Sequence, residues 1–157
     1  MTLVRLFRSV LAALPLALIV GRLEAQSCTS PKTTDDFSVT SPSTLSFSPV
    51  AAGDFNTGSI DRTISISFTP RNNTAYAICV RFTTTSTSLG NGKPLSDLLY
   101  QPVGGTYTAL STTYQQVAAG SGRTAVQNMS VPFRMLLSWV RDSPFTYGGT
   151  VEFYGTH

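Results

Sequence analysis

The amino-acid sequence predicts an all-β protein, one antiparallel sandwich or barrel that follows a removable leader. Three observations predict this. Thr and Ser are abundant while Glu and Lys are sparse, the balance of a pleated, half-buried surface. The 12 glycines and 9 prolines break the chain at short intervals, as turns between short strands do. Several segments alternate apolar and polar side chains strictly, the period of a strand with one face buried. At 157 residues the chain is about one domain long. Charged residues make up 12% against a norm of roughly 25%. Hydrophobics at 41% and aromatics at 10% are too many for a disordered chain.

Residues 1–25 read as a leader. Arg5 and Arg8 open it, an apolar run from Val10 to Val20 follows, and small residues close it before Gln26. This is the three-part layout of a secretory signal peptide. The run is about half the length that spans a bilayer, and Pro15 interrupts it, which disfavours a membrane anchor. Cleavage is expected after Ala25, with Leu23 large enough at the third position back to shift the cut. No later segment reaches spanning length, so the mature form, 26–157, is expected to be secreted, in the periplasm or at the cell surface, without a membrane span. Three of the 11 cations (Arg5, Arg8, Arg22) and one of the 8 anions (Glu24) leave with the leader, so the formal net charge of +3 falls by two. The remaining cations are scattered rather than gathered into a basic stripe, which excludes nucleic acid and acidic membranes as partners.

The single histidine is His157. Ser-His-Asp and Cys-His hydrolases and His-ligated zinc are therefore excluded, and neither an enzyme nor a cofactor is expected. The two cysteines, Cys28 and Cys79, pass through an oxidising compartment and are expected to pair. In the chain-entropy estimate such a long closed loop stabilises by roughly 4 kcal/mol. No Cys-x-x-Cys occurs, so redox catalysis has no support.

The elements follow in order. Asp36–Thr40 and Leu45–Val50 are short extended segments, and Ala51–Gly58 reads as a loop. Thr63–Thr69 alternates with Ile64, Ile66 and Phe68 on one face. Pro70–Asn73 is a turn from which Ala75–Thr83 is expected to pair back as the next strand. On that strand Tyr76, Ile78, Val80 and Phe82 form the heavy face, so Cys79 points outward beside Ala77 and Arg81, and the bridge becomes a peripheral staple. Thr84–Ser88 is polar, Leu89–Pro94 a loop, and Leu95–Gln101 a short apolar segment before the Gly104-Gly105 turn. Tyr107–Val117 is extended or loosely structured, and Ala118–Gly122 reads as a flexible loop. Met129, Val131, Phe133, Met135, Leu137 and Trp139 share one parity; Pro132 on the other parity calls for an edge or a bulge nearby. Arg141–Gly149 is a corner that Gly148-Gly149 serve, and Thr150–Tyr154 is the closing strand with Val151 and Phe153 inward. About seven strands are expected.

Three pieces together carry a family resemblance: a cysteine close to the mature N-terminus followed by Leu45-Ser-Phe47, the segment Lys93-Pro-Leu-Ser-Asp-Leu-Leu-Tyr100, and the end from Ser143 to Phe153. The sequence resembles the spore coat protein U family, secreted bacterial domains related to pilins of the archaic chaperone–usher type. Pro144, Tyr147 and Val151 match the terminal motif of that family; Phe145 stands where glycine is usual. Members often carry a cysteine at the end of the second strand, where this chain has Phe68.

The resemblance implies an immunoglobulin-like sandwich, one that can lack its last strand, in a pilus-type surface subunit rather than an enzyme. It implies a periplasmic chaperone, an usher and neighbouring subunits as partners. Such subunits expose an apolar groove that a neighbour's N-terminal extension fills by strand addition. Only Gln26 and Ser27 would precede Cys28 in the mature chain, too few to donate, so acceptance of a strand at a tip or terminus is expected. The Met129–Trp139 stripe is then either a groove lining or ordinary core. The alternative is a stand-alone adhesive or carbohydrate-binding module, with Tyr76, Tyr100, Tyr107, Tyr114, Tyr147 and Tyr154 as stacking candidates. Asp35, Asp36, Asp54 and Asp61 lack a calcium-loop spacing. Asp97 and Asp142 are too isolated in sequence for a glycosidase pair. Asn72-Asn-Thr74 and Asn128-Met-Ser130 fit a glycosylation pattern that matters only in a eukaryote.

Overall fold

Strict alternation from Thr63 onward makes a strand with one dry face, and the rest of the architecture follows from what covers it. A computed structural model describes residues 28, 36–83 and 88–157. The leader with its cleavage point, Asp35, and most of the polar stretch after Thr83 lie outside the described residues.

Among the described residues there are nine strands: β1 (Val39–Thr40), β2 (Thr44–Phe47), β3 (Ser59–Phe68), β4 (Ala75–Phe82), β5 (Leu98–Tyr100), β6 (Thr108–Ala109), β7 (Gln115–Ser121), β8 (Gln127–Leu136) and β9 (Tyr147–Thr156). They form a five-stranded sheet, β1-β3-β8-β5-β6, and a four-stranded sheet, β2-β9-β4-β7. Every strand pairing is antiparallel. The protein is an all-β sandwich. Ile64, Ile66, Val131, Phe133 and Met135 from the first sheet meet Phe47, Ile78, Val80, Phe82, Val151 and Phe153 from the second in one core.

β3 runs farther than Thr63–Thr69 because β8 pairs with it from Ser59↔Leu136 to Phe68↔Gln127. Several local expectations are corrected. Ala51–Gly58 is not a loop: Ala52–Thr57 forms a short helix, α1. The Asp54 carboxylate accepts the Ala51 N–H (2.8 Å), Phe55 is buried beneath it, and Gly58 ends it at φ 76°, a left-handed value that favours glycine. β4 does not pair with β3. The turn after Pro70 carries the chain across to the other sheet, where β4 lies between β9 and β7. Ala118–Gly122 is not a flexible loop. Residues through Ser121 pair with β4 from Ala75↔Ser121, with a register shift at Ile78/Cys79. Small side chains suit that place, since the Tyr76 phenol already crowds the position a Gly120 side chain would occupy. The edge expected near Pro132 is a local one: β8 lies between β3 and β5, but β5 pairs only with Phe133–Met135, and the register with β3 runs through Thr63↔Pro132 without a bulge. The Pro132 carbonyl accepts the Gln101 N–H (3.0 Å) just past the end of β5, so its missing N–H faces a side where the neighbouring strand has finished.

The parity argument for Cys79 holds. Cys28 and Cys79 form a disulfide across 51 positions with Cα atoms 5.7 Å apart. Cys79 points away from the main core into a second, smaller cluster with Ala77, Tyr114 and Tyr154, on which Cys28 packs. Tyr114 and Tyr154 meet edge to face at 4.4 Å, and the Arg81 guanidinium lies over the Tyr114 ring at 4.4 Å. The staple is peripheral to the main core yet dry at Cys79, which is 0% exposed.

Candidate functional site

Two regions gather the features that the sequence singled out: the edge of β9, and the corner that leads into it. β9 is central in its sheet and begins with Tyr147, whose hydroxyl donates to the Ser143 carbonyl (2.7 Å) and accepts the Ser143 N–H (3.1 Å). This is the tyrosine-corner arrangement of immunoglobulin-type sandwiches. A side chain at Gly149 would collide with the Phe82 ring, so the strand needs glycine there to lie flat on β4.

On one side β4 matches β9 from Val151 to Thr156, with the register Ala77↔Thr156 to Phe82↔Val151. The other side is matched unevenly. β2 pairs from Thr44↔Thr150 to Phe47↔Tyr147, and Val151 donates to the Ser43 carbonyl (2.8 Å). The next contact is an isolated bridge, Phe37↔Gly155. Between these points the chain crosses to the other sheet, where Val39 and Thr40 pair with Phe68 and Ser67. Among the described residues, no strand pairs with β9 between Val151 and Gly155 on that side. The Phe37 ring lies against Gly155 and near Phe68 (6.2 Å), Tyr76 (6.3 Å) and His157 (4.6 Å), a wedge at the open end of the sandwich.

The stripe divides along its length. Val131, Phe133 and Met135 are fully buried between the sheets, Leu137 is buried just past β8, and Met129 packs half-buried on the core. Phe133 faces Phe153 of β9 edge-on at 6.3 Å. Trp139 leaves the stripe because β8 ends at Leu136 and strand parity ends with it. It is 55% exposed, stacks on Phe55 at 4.6 Å, and donates its indole N–H to Asn56 (3.2 Å). Of the motif residues, Tyr147 and Val151 are buried and Pro144 is exposed on the corner. The six tyrosines do not make one platform: among the described residues only Tyr114 and Tyr154 stack on each other. Tyr76 bonds Gln127 and Tyr100 bonds the Gln116 carbonyl, and burial raises the pKa of both phenols. Tyr107 lies under the Arg134 guanidinium at 4.2 Å.

At the corner the structure joins residues that the sequence keeps far apart. The loop before β5 turns at Gly90–Gly92, and a single 3-10 turn, Leu95–Asp97, follows Pro94. Asp97 therefore stands over Lys93. The Lys93 ammonium donates to Asp97 Oδ2 (3.0 Å) and to Asp142 Oδ2 (2.9 Å). The Lys93 side chain is 0% exposed and that of Asp142 3%. The same Asp142 oxygen accepts the Ser138 N–H (2.8 Å), and Arg141 lies 3.5 Å from Asp97. The Leu89 carbonyl accepts the Gly148 N–H (2.9 Å), and Asn91 bonds Ser143 (2.7 Å), so the whole loop docks on the β8–β9 corner. Asp97 and Asp142, too isolated in sequence to pair, meet on one lysine. Sequence reasoning placed Lys93 in a loop and left Asp97 and Asp142 unpaired, so the cluster went unseen.

Among the described residues no group of His, Cys, Asp and Glu is placed to hold a metal ion, and no helix is long and apolar enough to cross a membrane. Fold and site thus define a disulfide-stapled antiparallel β-sandwich whose last strand is central and unevenly paired. Comparison with family models, with curated proteins and with solved structures finds no match to this chain. The disulfide and the lack of a membrane-spanning helix among the described residues are compatible with a protein outside the cytoplasm.

Proposed function

We propose that the protein is a secreted structural subunit of the spore coat protein U and archaic pilin kind, held in a surface assembly by strand addition and accepting a strand along β9. The observation that carries this reading is the uneven edge of β9, where among the described residues β2 pairs as far as Thr150, the Ser43 carbonyl accepts the Val151 N–H, and the next pairing is the bridge at Phe37. An extended peptide laid along this stretch pairs with Phe153, takes over the Gly155 bonds from Phe37, and places its alternate side chains in the sandwich where Phe37 now sits. Partners on this reading are a chaperone and usher during export and neighbouring subunits afterwards, and no substrate is turned over.

The test is thermal unfolding of the mature domain with and without peptides of alternating apolar and polar residues, drawn from neighbouring subunit genes. An acceptor gains stability with peptide concentration, by about 2.7 kcal/mol at a hundredfold excess over Kd. A midpoint unmoved by every such peptide contradicts the reading. A second reading, a stand-alone adhesive module, is favoured by the exposed Trp139 ring held flat on Phe55. It predicts instead a peptide-independent midpoint and quenching of the tryptophan emission by sugars.

A further inference from the structure

We propose that Lys93 and Asp142 join in an intramolecular amide bond, formed by the folded protein itself with Asp97 as the proton carrier. The inference stands apart from the strand-acceptor reading, because it rests on the corner cluster alone. Three features support it together. The reacting groups are in contact: Lys93 Nζ donates to Asp142 Oδ2 at 2.9 Å, which holds the amine beside the carboxyl group it must attack and makes the reaction intramolecular. The site is dry, with the Lys93 side chain 0% and the Asp142 side chain 3% exposed, which withholds the water that would hydrolyse the product. A third group is placed for each demand of the chemistry. Asp97 Oδ2 lies 3.0 Å from Nζ to take its proton, and the Ser138 N–H donates to Asp142 Oδ2 at 2.8 Å, where negative charge develops when the carboxyl carbon is attacked.

The step balances without an outside reagent. Nζ passes one proton through Asp97 to Asp142 Oδ1, which leaves a neutral amine beside a carboxylic acid. The Nζ lone pair attacks Asp142 Cγ, the C–N bond forms, and the carbonyl electrons move onto Oδ2, facing the Ser138 N–H. Asp97 carries a second Nζ proton to Oδ1, the C–Oδ1 bond breaks, and Oδ1 leaves as water. The third proton stays on the amide nitrogen. One buried cation and one buried anion disappear in the product, removing two charges that are costly to keep out of water. Asp97 keeps Arg141 as its ionic neighbour at 3.5 Å. The bond would tie the loop before β5 to the corner that launches β9.

The experiment is peptide mapping of protein produced from the full-length sequence, reduced and digested with trypsin. Lys93 precedes Pro94, so the expected fragments are 82–123 and 142–157. The proposal expects them joined, lighter than their sum by one water molecule, with fragmentation placing the branch at Lys93 and Asp142. Recovery of both fragments separate at full mass overturns it. So does loss of water within 82–123 alone, which would mark Asp97 as the acceptor. In Lys93→Arg the two fragments should separate. In Asp97→Asn, with a circular-dichroism spectrum like that of the parent, joining should fall at least tenfold in rate; joining at the parental rate would overturn the role given to Asp97.

Discussion

Phe37 and Gly155 exchange two main-chain hydrogen bonds, of 2.8 and 3.1 Å, and the Phe37 ring fills the space where a side chain on Gly155 would stand. Among the described residues, Phe37 thus closes the end of a strand edge whose pairing with β2 stops at Thr150. Any side chain at position 155 has to displace the ring. Gly155→Ala is therefore expected to destabilise by about 1–3 kcal/mol, the usual range for overpacking, read as a lower denaturant midpoint. An unchanged midpoint would mean that the ring can move aside at no cost.

Phe133 and Trp139 share one parity in the sequence but not one environment. Phe133 is 0% exposed between the sheets, whereas Trp139 is 55% exposed in a turn. Phe133→Ala is expected to cost about 3–5 kcal/mol. Trp139→Ala, which loses a stacking partner and one exposed hydrogen bond, should cost about 1–2 kcal/mol. Paired denaturation curves check the difference, and equal costs would contradict the boundary at the end of β8.

Tyr147→Phe keeps the ring and removes the hydroxyl that serves both the N–H and the carbonyl of Ser143. The expected loss is about 1–3 kcal/mol, because the corner groups lose their partner without gaining another. Amide exchange at Ser143 should accelerate in the same variant.

The disulfide joins Cys28 to the fully buried Cys79. Replacing both cysteines by alanine is expected to cost about 2–5 kcal/mol, seen as a lower thermal midpoint that no longer responds to reductant.

Asp61 and Arg134 face each other across β3 and β8 in a two-pronged pair, both bonds 2.7 Å long. The hydrogen bonds from Arg134 hold the Asp61 carboxyl below its ordinary pKa. A depressed folded-state pKa means a contribution that is complete above the unfolded value of about 3.9 and is lost as pH falls through the lower, folded value. The pair is solvent-exposed, so the effect is small. Carboxyl NMR titration should place the Asp61 midpoint below that of an unpaired aspartate, and Arg134→Ala should return it.

Much of this was legible in the sequence wherever burial imposes a period of two. Ile64, Ile66 and Phe68 inward on β3, Val131 to Met135 on β8, and Val151 with Phe153 on β9 are alternation read directly. The same parity placed Cys79 on the outer face. What escaped was decided by contacts between distant residues. α1 is a single turn and a half fixed by one buried phenylalanine and one capping carboxylate, too little to outweigh two glycines. The small residues of β7 look like a loop until Tyr76 is seen to lie over Gly120. A turn such as Pro70–Asn73 serves equally to fold a strand back or to pass it to the opposite sheet, and only the partners of β4 decide which. The ion cluster is divided between Lys93 and Asp142, 49 positions apart, and nothing local to either marks the other.

The strand-acceptor reading is tested most directly by hydrogen–deuterium exchange on the mature domain, with and without a stabilising peptide. The account predicts slower exchange at the Phe153 amide, which shares the open side with the already bonded Val151 and Gly155 N–H groups, and faster exchange at Phe37, as the incoming strand takes its place. Protection unchanged along β9 while the peptide binds elsewhere would contradict it.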